Sequence, residues 1–190
     1  MDMQRETRER YSPAQVAALL GLSQKDAFRV IDEIPAEDRS KEKPRSLTRE
    51  QLLFLVSLLE ARRDVRLPEE TKRTLYEDVV HRGTRHKEKV RVGIWSLDLR
   101  GPRRELTSRL ARYRRARKVV SQRKDIRGGE PVIRGTRIAV YQLADMLEAG
   151  ATKEEILAGY PTLDREKLDL ALLYARAHPR RGRPPKHPWH

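Results

Sequence analysis

The side chains of this sequence that can act on another molecule are its cations, and what cations do is hold anions. There are 42 Lys and Arg against 28 Asp and Glu, a formal charge of +14 on 190 residues. An excess of that size attracts polyanions over a Debye length or more, and nucleic acid is the partner it points to first. The cations gather in four places. Residues 103–121 hold Arg103, Arg104, Arg109, Arg112, Arg114, Arg115, Arg117 and Lys118 with Glu105 as their one acid. Arg112 and Arg115 are candidates there to track a phosphate backbone, each neutralised phosphate adding affinity and salt sensitivity. Ser23, Gln24, Lys25 and Arg29 form a second group and Arg134, Thr136 and Arg137 a third. The fourth is the C-terminal set Arg180, Arg181, Gly182, Arg183, Lys186 and Trp189. A charge run also serves as the solvated face of a linker helix or as a surface for an acidic protein, and composition leaves those uses open.

Chemistry beyond anion binding lacks its residues. His81, His86, His178, His187 and His190 fall in expected loops or at the terminus without carboxylates at ligand spacing, and there is no cysteine, so neither a metal site nor a cofactor is expected. No nucleophile is paired with a base, and the expectation is a binding protein, not an enzyme. Gly128 and Gly129 do not open a phosphate-cradling loop, because Pro131 and a strand follow where a helix is needed. No run of about 18 apolar residues and no signal-type start is seen, since residues 1–10 are charged throughout. A cytoplasmic protein without membrane contact is expected, and the absence of cysteine fits a reducing compartment.

These residues need elements to present them. Over 11–33 the sequence reads YSPAQVAALLGLSQKDAFRVIDE. Ser12 and Pro13 start a helix whose apolar face is Val16, Ala17, Leu19 and Leu20; Gly21 breaks it. Ser23 starts a second helix with Ala27, Val30 and Ile31 facing inward, which makes a helix-turn-helix. The spacing resembles the DNA-binding unit of MerR-like regulators, where the second helix lies in the major groove. That resemblance implies Gln24, Lys25 and Arg29 as readers and Ser23 as cap or phosphate contact. Asp26, Asp32 and Glu33 count against it, because carboxylates facing phosphates are repelled. Residues 45–48 suggest a short wing strand. Thr48 then caps a helix bearing Leu52, Leu53, Leu55, Val56, Leu58 and Leu59, which is either core or a dimer seam. A helix over 67–80, a strand carrying Val90, Val92, Ile94 and Leu97 that Gly101 and Pro102 end, and a helix over 103–121 are expected next.

After Asp125, Val132 and Ile133 are expected to pair with Arg137 and Ile138 across a turn at 134–136, with Gly128, Gly129 and Gly135 serving backbone geometry. Helices at 140–148, 153–158 and 164–177 complete a winged-helix-like unit, with Leu143, Met146, Leu147, Ile156, Leu157, Leu168, Leu172 and Leu173 inward. The expected class is mainly α: a MerR-like helix-turn-helix domain at 1–66, connecting helices and strand with the basic helix at 67–119, a C-terminal winged-helix-like three-helix domain with a small β-hairpin at 120–177, and a basic tail at 178–190.

Through GGEPVIRGTRI and LADMLEAGATKEEILAGYPTLDREKLDLALLYARAHP, the stretch from about Val120 to His178 resembles the family catalogued as domain of unknown function 433. Its members resemble VapB-type antitoxins, encoded beside small toxins with a PIN-like ribonuclease fold. The arrangement of a MerR-like segment ahead and a basic tail behind is similar to full-length antitoxins of that group. The resemblance implies a type II antitoxin that neutralises a PIN-like ribonuclease toxin and binds operator DNA to repress its operon, as a homodimer or in a larger toxin–antitoxin assembly. A stand-alone DNA-binding regulator is the alternative. In the tail, RGRPP resembles the AT-hook, which lays arginines along an A·T minor groove. An arm lying across a nuclease's metal-binding carboxylates, with Trp189 as anchor, suits the same residues, and so does a solubilising end.

Overall fold

The computed structural model describes residues 9–39, 45–61, 67–82, 88–92 and 95–180. Their architecture is mainly helical with two small antiparallel sheets, the class read from the sequence. The chain forms two compact units, Met1–Ala111 and Arg112–His190.

In the first unit Tyr11 and Leu47 form an antiparallel bridge through hydrogen bonds of 2.8 and 2.9 Å. The wing strand expected at 45–48 is no more than this bridge. Thr48 and Gln51 exchange backbone-to-side-chain hydrogen bonds of 2.9 and 3.2 Å and start a helix at once. Helix α1 (Pro13–Leu20) opens with a capping box between Ser12 and Gln15. It stops at Gly21, whose φ of 68° is a left-handed setting that a side chain would oppose. Helix α2 (Gln24–Ile31) is capped by Ser23 and buries Ala27, Val30 and Ile31. Helix α3 (Arg49–Ala61) is buried at every position from Gln51 to Leu58. Its leucines are therefore spent on their own unit, leaving no seam for a second copy along 52–58; Leu59 alone is half-buried. Gln51 is held inside by Nε2 donation to the Tyr76 hydroxyl at 3.0 Å and to the Asp38 carbonyl at 3.1 Å.

Helix α4 (Glu69–Tyr76) continues through a π-helical turn, Glu77–His81, and Tyr76 meets Phe54 edge-on at 5.0 Å. The single strand expected around 90–97 is a hairpin, β1 (Lys89–Val92) against β2 (Trp95–Asp98), with Val90 opposite Leu97. Leu97 is an odd number of positions from Val90, so a single strand would turn the two to opposite faces, whereas the fold-back makes them cross-strand partners on one face; Ile94 lies outside the described residues. Gly101 and Pro102 do not end this strand. They lie in the first turn of α5 (Arg100–Val119), where a missing proline N–H breaks no helical bond. Asp98 accepts the Arg100 N–H at 2.9 Å and pairs with its guanidinium, which holds the carboxyl down at about 2.

Helix α5 ends before the expected 121, because Val120 and Ser121 form β3, paired with β4 (Val132–Ile133). So the main strand partner of β4 lies before it in the chain. The expected pairing with 137–138 reduces to one Ile133 N–H to Ile138 carbonyl bond of 2.9 Å and a Val132–Ala139 bridge. Thr136 takes up the remaining polar groups, donating to the Ile133 carbonyl and accepting from the Ile138 N–H. Gly135, with φ of 78°, turns the chain. Helices α6 (Val140–Glu148), α7 (Lys153–Gly159) and α8 (Arg165–Ala177) follow. They close a core of Val120, Ile133, Leu143, Ile156, Leu168 and Ala171. Met146, Leu147, Leu157 and Leu172 pack half-buried against that core, whereas Leu173, also expected inward, is half-buried outside it, and α8 buries Ala171 and Ala175. Among the described residues no helix is long and apolar enough to cross a membrane.

Candidate nucleic-acid interface

Helix α2 presents Gln24, Lys25, Phe28 and Arg29 on its exposed side. Gln24 and Lys25 have no partner among the described residues. Ser23 is the helix cap, accepting from the Asp26 N–H at 3.1 Å while its hydroxyl donates to the Asp26 carboxylate at 2.7 Å. That carboxylate also meets Arg29 at 3.3 Å. The pair is well exposed, so it is weak and leaves the guanidinium within reach of a phosphate.

The acids just after α2 are covered as well. Asp32 is held by Arg39 at 3.4 Å and by Arg45 at 3.2 Å. Glu33 is held by Lys72 at 2.9 Å, whose ammonium is stabilised, its pKa raised first by the Glu69 carboxylate. The carboxylates that weigh against a phosphate-facing helix are thus each neutralised within the unit. Arg39, Arg45 and Lys72 reach these acids from outside the helix, across a turn or from another helix, at spacings that no local helical period relates. Phe28 is absent from the sequence reading too. A signal existed: with Ala27, Val30 and Ile31 inside, the helical period turns residue 28 outward.

Along α5 the buried stripe is Pro102, Leu106, Leu110, Tyr113 and Ala116. Several of its cations are committed. Arg109 binds Glu105 at 2.6 Å and donates to the Leu19 carbonyl at 2.6 Å, closing the C-terminal end of α1. Arg115 pairs with Glu166. Arg104, Arg112 and Lys118 are exposed and without an ion-pair partner among the described residues.

The loop group divides similarly. Arg134 donates to the Lys118 carbonyl at 2.8 Å and to the Val120 carbonyl at 3.3 Å, so it caps the end of α5. Thr136 is the turn's internal bracket, whereas Arg137 is exposed with no described partner. Gly128 and Gly129 sit in a tight turn with φ of 65° and 88°.

In the tail, Arg180 stacks over the Tyr141 ring at 4.8 Å and pairs with Asp145 at 2.9 Å. Beside it Tyr141 donates to the His178 carbonyl at 2.6 Å, and His178 Nε2 lies 3.0 Å from the Tyr113 hydroxyl. Burial holds the His178 imidazole below its ordinary pKa. Arg181, Gly182, Arg183, Lys186 and Trp189 lie outside the described residues. Among the described residues no three His, Asp or Glu side chains converge as a metal site.

Residues 120–175 match the family described as "Protein of unknown function (DUF433)". The DUF433 segment therefore covers β3, β4 and helices α6, α7 and nearly all of α8. A relative in Sinorhizobium fredii (strain NBRC 101917 / NGR234), named "Uncharacterized protein y4eO", is 40% identical over 144 residues, which is 75% of this chain and 60% of that protein. No solved structure matches the chain.

Within the DUF433 segment the charges at the start of α8 are all paired. Arg165 binds Glu154, Glu166 binds Arg115, Lys167 binds Asp164 at 3.2 Å, and Asp169 binds Lys153 at 2.6 Å. A helix whose charges are satisfied by ion pairs has little to offer a phosphate backbone; the uncommitted groups include Gln24 and Lys25 on α2, Arg104, Arg112 and Lys118 on α5, and Arg137.

Proposed function

We propose that this protein is an operator-binding antitoxin, gripping promoter DNA through α2 and neutralising a PIN-like ribonuclease toxin. One observation carries the DNA half of the reading. The exposed side of α2 offers an amide, an ammonium and a guanidinium, and every carboxylate that would repel a phosphate is held by a cation. Ser23 steadies the helix start, Gln24 and Lys25 address base edges and backbone, and Arg29 exchanges Asp26 for a phosphate. Arg112 and Lys118 add sequence-independent attraction, with Arg137 a further phosphate contact.

The toxin half is argued from the match of residues 120–175 to DUF433, a family whose members resemble VapB-type antitoxins, and from the strongly basic tail. Its guanidinium groups suit the carboxylates that would hold magnesium in a PIN-like nuclease. The assembly proposed is a homodimer or a larger toxin–antitoxin complex in the cytoplasm, without catalytic activity of its own. The test is to co-express the chain with the product of the adjacent reading frame, purify them together, and assay RNA cleavage and binding to the upstream promoter fragment. Co-purification with suppressed cleavage supports the reading. Promoter binding with no toxin partner leaves a stand-alone regulator, and failure of both assays overturns the proposal. Deleting residues 180–190 separates the tail's uses: loss of toxin inhibition assigns it to the nuclease, and loss of promoter affinity to a minor groove.

A further inference from the structure

We infer that Phe28 reads the 5-methyl group of a thymine in the major groove, beside an adenine held by Gln24, so that α2 selects a step containing A·T pairs. This rests on the operator-binding reading above and adds to it a residue that decides sequence.

Phe28 is 49% exposed and is the large hydrophobic side chain left open to solvent among the described residues. Its own unit has no use for it, because the inner face of α2 is filled by Ala27, Val30 and Ile31. Gln24 and Lys25 precede it by four and three positions and so lie on its face of the helix. Thymine shows the major groove one apolar feature, its 5-methyl group, while adenine shows N7 and the N6 amino group, the pattern a carboxamide matches with two hydrogen bonds. A ring one turn from a glutamine, with an ammonium at its flank, fits that surface: methyl to ring, adenine edge to amide, phosphate to Lys25.

Charge decides against a protein occupant. On the exposed side of α2 the ring has Lys25 and Arg29 for neighbours, and the acids Asp26 and Asp32 are bound by Arg29, Arg39 and Arg45. A stable protein interface buries about 800 Å² per partner around an apolar centre. A single aromatic flanked by an ammonium and a guanidinium complements a polyanion that carries small apolar groups.

Uracil differs from thymine by that methyl group alone. The promoter fragment upstream of the gene, prepared once with thymine and once with uracil throughout, is titrated with the full-length chain, Phe28→Ala and Phe28→Leu. The wild type is expected to bind the uracil fragment about fourfold more weakly for each methyl contacted. Phe28→Ala is expected to bind thymine DNA more weakly and to treat both fragments alike, with unchanged melting, and Phe28→Leu to recover part of the preference. If Phe28→Ala keeps both the affinity and the thymine preference, the inference falls while operator binding stands. If Phe28→Ala binds DNA as before but loses self-association or toxin capture, the ring serves a protein surface and the inference falls as well. If the wild type shows no preference for the promoter over unrelated DNA, the operator-binding reading itself fails and takes this inference with it.

Discussion

The helix pairs α1–α2 and α7–α8 are assembled from the same parts. Each helix starts from a side chain that accepts a backbone N–H: Ser12, Ser23, Thr152 and Asp164. Each second helix packs small or β-branched residues inward, Ala27 and Val30 in α2, Ala171 and Ala175 in α8. They differ in where their acids find cations. Asp26 on α2 is bound by Arg29 of the same helix, while Asp32 and Glu33 just after it are bound by residues of other segments, Arg39, Arg45 and Lys72, and Gln24 and Lys25 stay uncommitted. Three cations at the start of α7 and α8 meet acids of the same pair or its cap, Arg165 with Glu154, Lys153 with Asp169 and Lys167 with Asp164. A helix pair thus becomes a gripping surface or a packing element according to which side of each ion pair it supplies, with no change in its geometry.

The contrast can be broken most forcefully with salt. If about seven phosphates are neutralised, promoter affinity falls roughly a thousandfold between about 50 and about 200 mM salt; a flat titration means the positive charge meets protein instead. Next come single substitutions. Gln24→Ala is expected to cost about tenfold or more in promoter binding measured by anisotropy, the loss of one bidentate base contact. Arg165→Ala and Lys167→Ala should each change it less than about twofold, and the reverse ranking would move the reading helix to the DUF433 segment.

The caps come third. Ser23→Ala and Thr152→Ala are each expected to cost about 1 kcal/mol in denaturant unfolding, but only Ser23→Ala should also weaken DNA binding. The smallest effect is on pH. Asp38 lies 2.7 Å from His81 and raises its pKa, so its stabilisation is complete below the unfolded value near about 6.5 and is lost as pH rises through the folded value. For His178 burial lowers the pKa, so its neutral form is favoured and stability drops as pH falls from about 6.5 through the folded value. Melts taken from about pH 8 to about pH 5.5 should show the first unit gaining and the second losing. The His81 part is a few tenths of a kcal/mol after solvent screening. Replacing either histidine with glutamine should flatten its own slope and leave the other.

Much of this was legible in the sequence because it is local. The caps at Ser12, Ser23 and Thr152 act over three residues, Gly21 needs only its own φ, and the inward residues of α1 and α2 follow the helical period. What was missed depends on distant partners. Val119, Val120 and Ser121 continue a helical stripe until Ile133 offers Val120 a strand to pair with. Arg134, grouped with the loop cations by type, spends its guanidinium on two carbonyls at the end of α5. The hairpin at 89–98 was missed although a signal existed: Leu97 falls out of step with Val90 and Val92, which a single strand does not accommodate on one face and a fold-back does.

Helix α3 carries apolar side chains on every side, so greasy contact alone would let it spin about its axis with little penalty. Its single interior carboxamide, Gln51, removes that freedom: any other rotational setting would strand an amide in a dry interior and release the Tyr76 hydroxyl, whose proton burial makes hard to remove, its pKa pushed up to about 12. One glutamine therefore acts as the indexing pin that converts a uniformly oily rod into a part with a defined front and back.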